Sequence, residues 1–368
     1  MAKVVAVSVG TIAYEPEVQW QRPGAKQVAT VVRVRTDAGI EGVSVTWNDS
    51  PAATAMALTI QAWFAAALVG YDVRSHPATT EPLLRRTAWN GTSCVAIAAI
   101  DNALWDAKAR AANAPLHALL GTRHQALPAY AATRGEGQAS QEEIIDRVFA
   151  ARERGFHAYK LHLWGGWQSD VAGCTAARAA LGDSFSLMFD PLGRYTLTEA
   201  VSVGQALENL GYLWLEDPIP WEDRLAYRWL AQHLSIPLVA TDALQWSWSD
   251  YLDAATHRCP VMLRLDAGRQ GITFCSKVME LAGHHGVRCE FHAFGPEPNS
   301  IAGLHLGLAQ RQLSYYEACE PRHEFEVPGI EVPTRLDDRG CVAAPTGPGL
   351  GLEIDWPWLE AEINWVRA

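Results

Sequence analysis

The middle of the chain contains short apolar runs that each end in an acidic residue. Three successive runs read SFSLMFD, GYLWLE and PLVATD, and they place Asp190, Glu216 and Asp242 at two equal intervals of 26 residues. About 26 residues suffice for one strand and the helix that follows it in a parallel α/β fold. The equal spacing therefore predicts that the three carboxylates lie at the same end of three successive strands.

The same rhythm continues in both directions along the chain. Further apolar runs read HAYKLHLWG upstream and VMLRLDAG, VRCEFHAFG and LSYYEACEP downstream. Between the runs lie segments with apolar residues at helical spacing, such as EEIIDRVFAARERG and LTEAVSVGQALENLGY, and several of these segments end in Gly. Counting from about Leu127 gives eight strands, which predicts an α/β fold with a closed (β/α)8 TIM barrel.

The two ends of the chain do not follow this rhythm. The segments VVAVSVGTIAYE, VATVVRVRTDAG and IEGVSVTWND alternate like strands of an antiparallel sheet. Helical patterns follow them over about 53–69, over 78–86 and from near Thr92 onward. These patterns predict an N-terminal α+β capping domain over residues 1–122 and a barrel catalytic domain over residues 123–324. The irregular segment 325–368 is expected to return to the capping domain.

Composition and charge narrow the class of protein. An apolar content of 49% in 368 residues supports a large core, and a net charge of −11 argues against nucleic acid or an acidic membrane as partner. No transmembrane run and no signal peptide are recognisable, and the seven Cys residues form no CxxC pair. We therefore expect free thiols in a cytoplasmic protein that binds neither nucleic acid nor membrane.

Seven polar residues stand at the predicted carboxyl ends of strands, where the catalytic residues of (β/α)8 barrels lie. These are His162, Asp190, Glu216, Asp242, Asp266, His292 and Glu317. One acid after a strand is ordinary loop chemistry, but three acids in phase favour a metal site. Carboxylates are the hard oxygen ligands that Mg²⁺ prefers, so Asp190, Glu216 and Asp242 are the predicted metal ligands.

Lys160 and His162 lie two residues apart on one predicted strand, so both side chains point to the same face. A buried lysine beside carboxylates would stay charged and could stabilise an anionic substrate. His162, one layer nearer the barrel mouth, suits proton transfer near neutral pH. The alternative is a structural ion pair between Lys160 and an aspartate, with His162 uninvolved.

Asp266 and His292 end adjacent predicted strands, so their side chains can meet. A carboxylate bonded to an imidazole raises its basicity and fixes its tautomer, and no GxSxG motif accompanies the pair, so we expect a general base rather than the activator of a nucleophile. Two residues earlier on the same strands, Arg264 and Glu290 are predicted to form a buried ion pair, with tuning of the dyad as the alternative.

Glu317 ends the eighth predicted strand, on the side of the ring near Lys160. If its carboxyl group were protonated, it could donate a hydrogen bond to a substrate carboxylate. Glu320, which lies further into the loop, is the alternative residue for that role.

With these residues assembled, the whole chain resembles the enolase superfamily, in its mandelate racemase-like group. The resemblance rests on a lysine on strand two, three acids on the next strands, an Asp–His dyad on strands six and seven, a glutamate on strand eight, the helix AIDNALWDAKAR and the tail PGLGLEID. It implies an enolase-like modified barrel with one Mg²⁺ per subunit. It also implies a homo-oligomer whose base removes the α-proton of a metal-bound carboxylate substrate to give an enediolate.

The chain departs from the pattern of that group at three positions. His162 stands where a second lysine is usual, Leu192 stands where an Asn is frequent, and the third acid is Asp242 where Glu is frequent. A histidine at position 162 keeps the acid–base capacity of the usual lysine, but its side chain has a different reach and a different pKa. The second departure suggests a less polar contact to the substrate.

The resemblance favours dehydration of a sugar acid to a 2-keto-3-deoxy acid, and it leaves racemisation or epimerisation of a 2-hydroxy acid and cycloisomerisation of a lactone as alternatives. Candidate substrate-binding residues for the small carboxylate lie in loops near residues 14–25 and 46–52 and after strand two. They are Trp20, Arg22, Trp47, Asn48 and Trp164. A barrel that only binds its ligand, and a hydrolase with two catalytic carboxylates, are the alternatives from other functional classes.

Overall fold

The structure is a computed structural model that describes residues 1–14, 27–48, 50–85, 91–133, 137, 139–220, 222–240, 248–259, 262–293 and 295–366. Within these ranges the chain forms a four-stranded antiparallel sheet, a closed sheet of eight parallel strands that carries one short antiparallel strand, and a separate two-stranded antiparallel sheet. No helix in this part of the chain is both long and apolar enough to span a membrane.

The first three strands of the N-terminal sheet form a meander, because β2 pairs antiparallel with β1 and β3 with β2. The strands are β1 (Val4–Tyr14), β2 (Gln27–Thr36) and β3 (Glu41–Asn48). Gly39 has a positive φ of 71° in the turn between β2 and β3, a conformation that glycine adopts without steric cost. The three antiparallel strands predicted from alternation are confirmed.

Four α-helices follow the meander. They are α1 (Ser50–Ile60), α2 (Glu81–Arg85), α3 (Gly91–Ala111) and α4 (Leu116–Leu120). The helix predicted over about 53–69 is shorter as an α-helix and continues as a π-helix, Gln61–Ala65, and a 3₁₀ turn, Ala66–Leu68; a further 3₁₀ turn spans Val73–Ser75. Helix α3 lies close to β3 because Gly42 has no side chain: a Cβ at that position would be 2.1 Å from the carbonyl oxygen of Ala103.

The second sheet closes into the predicted eight-stranded barrel, since its last strand pairs with its first. Its strands are β4 (Leu127–Thr133), β5 (Ala158–Leu161), β6 (Ser186–Phe189), β7 (Leu215–Glu216), β8 (Leu238–Ala240), β9 (Met262–Leu265), β10 (Arg288–Phe291) and β11 (Tyr316–Glu320). The helices between them are α5 (Gln141–Glu153), α6 (Trp167–Leu181), α7 (Leu197–Asn209), α8 (Arg224–His233), α9 (Trp248–His257), α10 (Ala267–Gln270), α11 (Ile272–His284) and α12 (Glu297–Ala309).

Alternation along each barrel strand separates an outer core from an interior. On β5, for example, Tyr159 and Leu161 belong to the apolar core between strands and helices, whereas Ala158 and Lys160 point inside. The deeper interior is filled by a separate cluster of mostly large side chains. Its buried members are Tyr130, Ala132, Ala158, Met188, Trp214, Val239 and Met262. The barrel interior is therefore a packed core.

The C-terminal segment contacts both sheets. It contains a 3₁₀ turn (Arg322–Glu324), β12 (Ile330–Glu331), β13 (Cys341–Val342), β14 (Glu353–Ile354), α13 (Trp356–Glu362) and β15 (Asn364–Trp365). Strand β13 pairs antiparallel with the start of β4, and β15 pairs with β1. All seven cysteines are free thiols, and Cys174, Cys275 and Cys289 are buried.

Helix α3 is joined to the barrel by buried hydrogen bonds. Asn102 donates from Nδ2 to the carbonyl oxygen of Ala267 at 2.8 Å and accepts from the N–H of Ile272 at 3.0 Å. Asp101 accepts from the N–H of Thr273 at 2.8 Å. We call Asp101 and Asn102 the α3 clamp. The clamp therefore holds the segment from Ala267 to Thr273, which immediately follows Asp266.

Replacing Asn102 with Ala should lower the free energy of unfolding by about 1–3 kcal/mol, because the buried Ile272 N–H loses its acceptor and the Ala267 carbonyl loses one donor. Urea unfolding followed by circular dichroism measures the loss. Asn209→Ala, at the exposed end of α7, is the matched control and should change stability by no more than about 0.5 kcal/mol. Equal small effects for both variants would show that the clamp contributes no stability.

Candidate active site

Four charged side chains fill one level of the barrel interior. Lys160, Glu216, Arg264 and Glu317 come from β5, β7, β9 and β11, the second, fourth, sixth and eighth barrel strands, and none of them is more than 3% exposed. Alternate strands of a (β/α)8 barrel share one interior layer of four side chains. Apolar branched residues usually occupy such layers, whereas this one alternates two cations with two carboxylates. We call these four residues the charged layer.

Lys160 is the centre of the contacts around this layer. Its Nζ lies 2.8 Å from Glu317 Oε1, 3.1 Å from Glu216 Oε2 and 3.6 Å from Asp190 Oδ2. Burial by itself would lower the pKa of Lys160, but the carboxylates of Glu216 and Glu317 raise it well above its usual value. Lys160 is therefore a permanent cation that draws carboxylates from three strands together.

Arg264 binds Glu216 through two parallel hydrogen bonds. Its Nε donates to Oε1 at 2.7 Å and its Nη2 donates to Oε2, while Nη1 donates to the hydroxyl oxygen of Tyr130 at 3.1 Å. Burial raises the pKa of Glu216, but Arg264 and Lys160 together lower it to about 2. Glu216 is thus an ionised carboxylate that is fixed in orientation by the arginine.

The ion pair between Arg264 and Glu290 stays a prediction, because the contacts that define each residue in the structure are with other charged groups. Glu290 lies 2.6 Å from Nε of Arg288 and accepts from the N–H of Tyr315 at 2.9 Å. Arg264 and Glu290 are backbone neighbours on adjacent strands, yet adjacent strands supply different interior layers. The arginine therefore reaches the carboxylate of the next strand but one, which lies in its own layer.

Asp266 and His292 form the predicted dyad. His292 Nδ1 lies 3.0 Å from Asp266 Oδ2, and the same oxygen is 3.2 Å from Nε of Arg269. Burial raises the pKa of Asp266, but Arg269 and His292 outweigh it and lower that pKa. Asp266 is ionised and holds the proton of His292 on Nδ1, which makes Nε2 the proton-accepting nitrogen of the neutral ring. Arg269 was not singled out from the sequence, although its position three residues after an acid at a helix start was a usable signal.

Glu317 connects the charged layer to the backbone that directly follows His292. Its Oε1 contacts Lys160, and its Oε2 accepts from the N–H of Ala293 at 2.8 Å. Burial raises the pKa of Glu317, but Lys160 and Arg264 lower it well below the usual value, so this group is a carboxylate here and not the hydrogen-bond donor considered from the sequence. Glu320 lies 3.6 Å from Arg154, away from the layer.

The carboxylate of Asp190 is oriented by a backbone N–H two residues further along the chain. Its Oδ1 accepts from the N–H of Leu192 at 2.9 Å, and Leu192 has a left-handed φ of 57°. Such a conformation costs a non-glycine residue about 1–2 kcal/mol. The residue that replaces the frequent Asn therefore contributes its main-chain N–H, and its side chain has no role in fixing Asp190.

Two of the three predicted metal ligands converge in the structure. The carboxylates of Asp190 and Glu216 are buried, come from neighbouring strands and approach the same ammonium group, so their oxygens suit a hard cation such as Mg²⁺. The third predicted ligand, Asp242, lies outside the described residues. Within the described ranges, no group of three or more His, Cys, Asp or Glu side chains is arranged to hold a metal.

His162 lies at the same rim, with its Nε2 3.4 Å from Asp190 Oδ2. Trp164, two residues further, donates its backbone N–H to the carbonyl oxygen of Gly137 at 3.0 Å, and the guanidinium of Arg194 lies 5.1 Å from its ring centroid. Of the other predicted substrate-binding residues, Trp20 and Arg22 lie outside the described residues. Trp47 and Asn48 end β3, where only the backbone is described.

These elements define a (β/α)8-barrel protein with an α+β domain ahead of the barrel and an acid-rich, lysine-centred site inside it. Residues 143–358 match the family model described as enolase C-terminal domain-like, and residues 2–121 match that of the mandelate racemase / muconate lactonizing enzyme N-terminal domain. The chain therefore belongs to the mandelate racemase/muconate lactonizing enzyme family of the enolase superfamily, and the resemblance drawn from its motifs is confirmed.

Named relatives in this family act on sugar acids and their lactones. A D-galactarolactone cycloisomerase of Agrobacterium fabrum is 28% identical over 305 residues, covering 78% of this chain and 80% of the relative. An L-talarate/galactarate dehydratase of Salmonella typhimurium is 28% identical over 313 residues, covering 82% and 76%. A mandelate racemase/muconate lactonizing protein of Paracoccus denitrificans, solved in complex with magnesium, is 25% identical with a TM-score of 0.85 and covers 100% of this chain and 99% of that one.

Replacing Lys160 with Met should destabilise the protein by about 3–5 kcal/mol, because it leaves buried carboxylates without their cation. Adding Glu317→Gln to Lys160→Met should recover part of the loss, since one uncompensated charge is then removed. Urea unfolding measures both variants. The matched control is Lys277→Met: Lys277 pairs with Glu81 at the surface, so its loss should cost less than about 1 kcal/mol. A small effect at Lys160 would contradict its central place in the site.

Proposed function

We propose that this protein catalyses Mg²⁺-dependent removal of the α-proton from a small carboxylate substrate and that the reaction is the dehydration of a sugar acid to a 2-keto-3-deoxy acid. The observation that carries the proposal is the convergence of three buried carboxylates on Lys160 beside an oriented Asp–His dyad. The dehydratases and the cycloisomerase among the relatives support the substrate class.

An α-proton next to a carboxylate is only weakly acidic, because its removal creates a second negative charge on the substrate. Mg²⁺ held by Asp190, Glu216 and Asp242 would supply Lewis-acid stabilisation of that charge. Lys160 adds a fixed positive charge that burial does not remove, since its pKa is raised by Glu216 and Glu317 despite that burial. A charge that is already in place stabilises the transition state without reorganisation.

His292 is the proposed general base. Asp266 fixes the ring through Nδ1, so the α-proton passes to Nε2 and the resulting imidazolium is stabilised by the Asp266 carboxylate. The substrate becomes an enediolate, whose electron pair then expels the β-hydroxyl group. This group takes up one proton and leaves as water, and the enol that remains tautomerises to the 2-keto acid.

His162 is the proposed second acid–base group. It directly follows β5, which is separated from β10, the strand before His292, by β4 and β11 around the barrel. The two imidazoles therefore approach a bound substrate from different sides. His162 can protonate the departing hydroxyl group in a dehydration, and the same position would serve proton return in a racemisation. Its contact with Asp190 links it to the predicted metal site.

Cycloisomerisation of a lactone is the second candidate. The same α-proton abstraction starts that reaction, and the D-galactarolactone cycloisomerase is similar over most of this chain. In this case the leaving group is the ring oxygen of the lactone, so no water is released. We further propose that Trp20, Arg22, Trp47, Asn48 and Trp164 contact the substrate and that the enzyme is a homo-oligomer.

The direct test is a screen of the purified protein with Mg²⁺ against mono- and diacid sugars and their lactones, with 2-keto acids detected as semicarbazones. A keto acid from an open-chain acid supports dehydration, and turnover of lactones alone supports cycloisomerisation. Solvent deuterium at the α-carbon without keto acid, measured by NMR in D₂O, would mean racemisation or epimerisation. Absence of turnover and of exchange on the whole panel would refute the proposal.

Replacing His292 with Asn should lower kcat by about 10²–10⁴-fold on the substrate found in that screen, because the side chain keeps its size but loses the base. Thermal unfolding and Mg²⁺ binding should stay at the wild-type level. His284→Asn, at the exposed end of α11, is the matched control and should leave kcat unchanged. Near-full activity of His292→Asn would exclude His292 as the base.

A further inference from the structure

Arg264 occupies an unusual place for an arginine. Its side chain is buried inside the barrel, and two of its nitrogens are bonded to Glu216, a carboxylate that is also a predicted metal ligand. Oxygen Oε2 of Glu216 faces three donors, since Lys160 Nζ lies at 3.1 Å and Trp214 Nε1 at 3.2 Å in addition to Arg264. Oxygen Oε1 accepts only from Arg264 among the described residues, so it keeps a lone pair for a metal.

The balance of charge in the site depends on this arginine. Among the described residues, the carboxylates of Asp190, Glu216 and Glu317 share two buried cations, Lys160 and Arg264, whereas Asp266 pairs with Arg269. Without Arg264 the excess of negative charge would be larger by one unit. Negative charge at this position attracts a divalent cation and repels the carboxylate of an acid substrate, so the arginine acts on both ligands with opposite sign.

We propose that Arg264 is a built-in counter-charge that weakens the binding of the divalent cation at the barrel mouth and thereby leaves the site receptive to an anionic acid. The inference rests on the proposed function, because it assumes that Asp190 and Glu216 hold the cation. Arg264 does not touch the substrate in this scheme. It acts through Glu216, whose carboxylate it both orients and partly neutralises.

The physical reason is electrostatic. A guanidinium bonded to a ligand carboxylate lies within a few ångströms of any cation bound by the opposite lone pair, and the two positive charges repel each other in an interior of low dielectric constant. The bidentate geometry resists escape of the arginine, because both parallel hydrogen bonds must break together. A neutral residue at position 264 should therefore bind the cation more tightly.

The test is isothermal titration calorimetry, with Mg²⁺ alone titrated into the protein and its variants at pH 8. Arg264→Met removes the charge, Arg264→Gln removes it but keeps a donor for Glu216, and Arg264→Lys keeps the charge but loses the fork. Arg288→Met is the matched control. Arg288 is also an arginine on a barrel strand, β10, but it pairs with Glu290 and not with a member of the charged layer. Asp190→Asn identifies the site, because it should lower the affinity for Mg²⁺ in every background.

We expect Arg264→Met and Arg264→Gln to bind Mg²⁺ about tenfold more tightly than wild type or better, and Arg264→Lys and Arg288→Met to stay within about threefold of it. Unchanged or weaker binding in both neutral variants would overturn the inference. Tighter binding by Arg264→Lys as well would also overturn it, because geometry and not charge would then be the cause. Circular dichroism and thermal unfolding establish that each variant is folded, and Arg264→Gln keeps the test decisive if Arg264→Met does not fold.

The two proposals fail in different ways. A wild-type protein that binds Mg²⁺ with no change on Asp190→Asn counts against the proposed metal ligands and so against the proposed function. Alternatively, the wild type binds Mg²⁺ through Asp190, and Arg264→Met and Arg264→Gln bind it with unchanged affinity. That result is compatible with the proposed function but refutes the role of Arg264. A wild type with no measurable uptake and a neutral variant that gains uptake through Asp190 would support the counter-charge directly.

Discussion

The contact of one ammonium group with carboxylates from three strands is the constraint on which the site depends. Lys160 is buried, so its charge is tolerated only while Glu216, Glu317 and Asp190 stay within a few ångströms of it. The same requirement fixes the positions of these acids relative to each other. Glu317 in turn binds the backbone beside His292, so the geometry of the dyad is tied to the charged layer through a single carboxylate.

The N-terminal domain contributes to this geometry from outside the barrel. The α3 clamp holds both ends of the short helix that begins after Asp266, and Asp266 itself caps that helix by accepting from the N–H of Gly268. Asp101 is further held by His76 at 2.9 Å. The dyad therefore lies between two supports, the charged layer inside the barrel and helix α3 on its rim.

The barrel could be predicted from the sequence because its signal is repeated. Each unit brings an apolar run, a polar residue at its end and a helical segment, so errors at single boundaries do not change the count. The Asp266–His292 dyad could be predicted from the same regular spacing, since it places the two residues at the ends of adjacent strands. Among the described residues of the N-terminal domain, the break of the first long helix after Ile60 is the clear departure from the predicted elements.

The pairing of charged side chains inside the barrel could not be predicted in the same way. Arg264 and Glu290 lie on adjacent predicted strands, which suggested that they pair with each other. The partner of an interior side chain depends instead on its layer, and each layer draws its side chains from every second strand of the barrel. The protonation state of Glu317 was missed for a related reason: it depends on Lys160 and Arg264, which come from other strands. The contribution of Leu192 was also hidden, because a backbone N–H leaves no trace in residue type.

The alternating origin of the charged layer has a consequence for how the barrel assembles. Its four members come from the second, fourth, sixth and eighth strands, so every half of the barrel contains one cation and one carboxylate. A half-barrel can therefore neutralise its own charges, but it cannot surround Lys160 or Glu216 with the partners that make their burial tolerable. Closure of the sheet between β11 and β4 is the step that unites all four, and this ties the last strand pairing to the burial of the charges. The site is therefore complete only in the closed barrel.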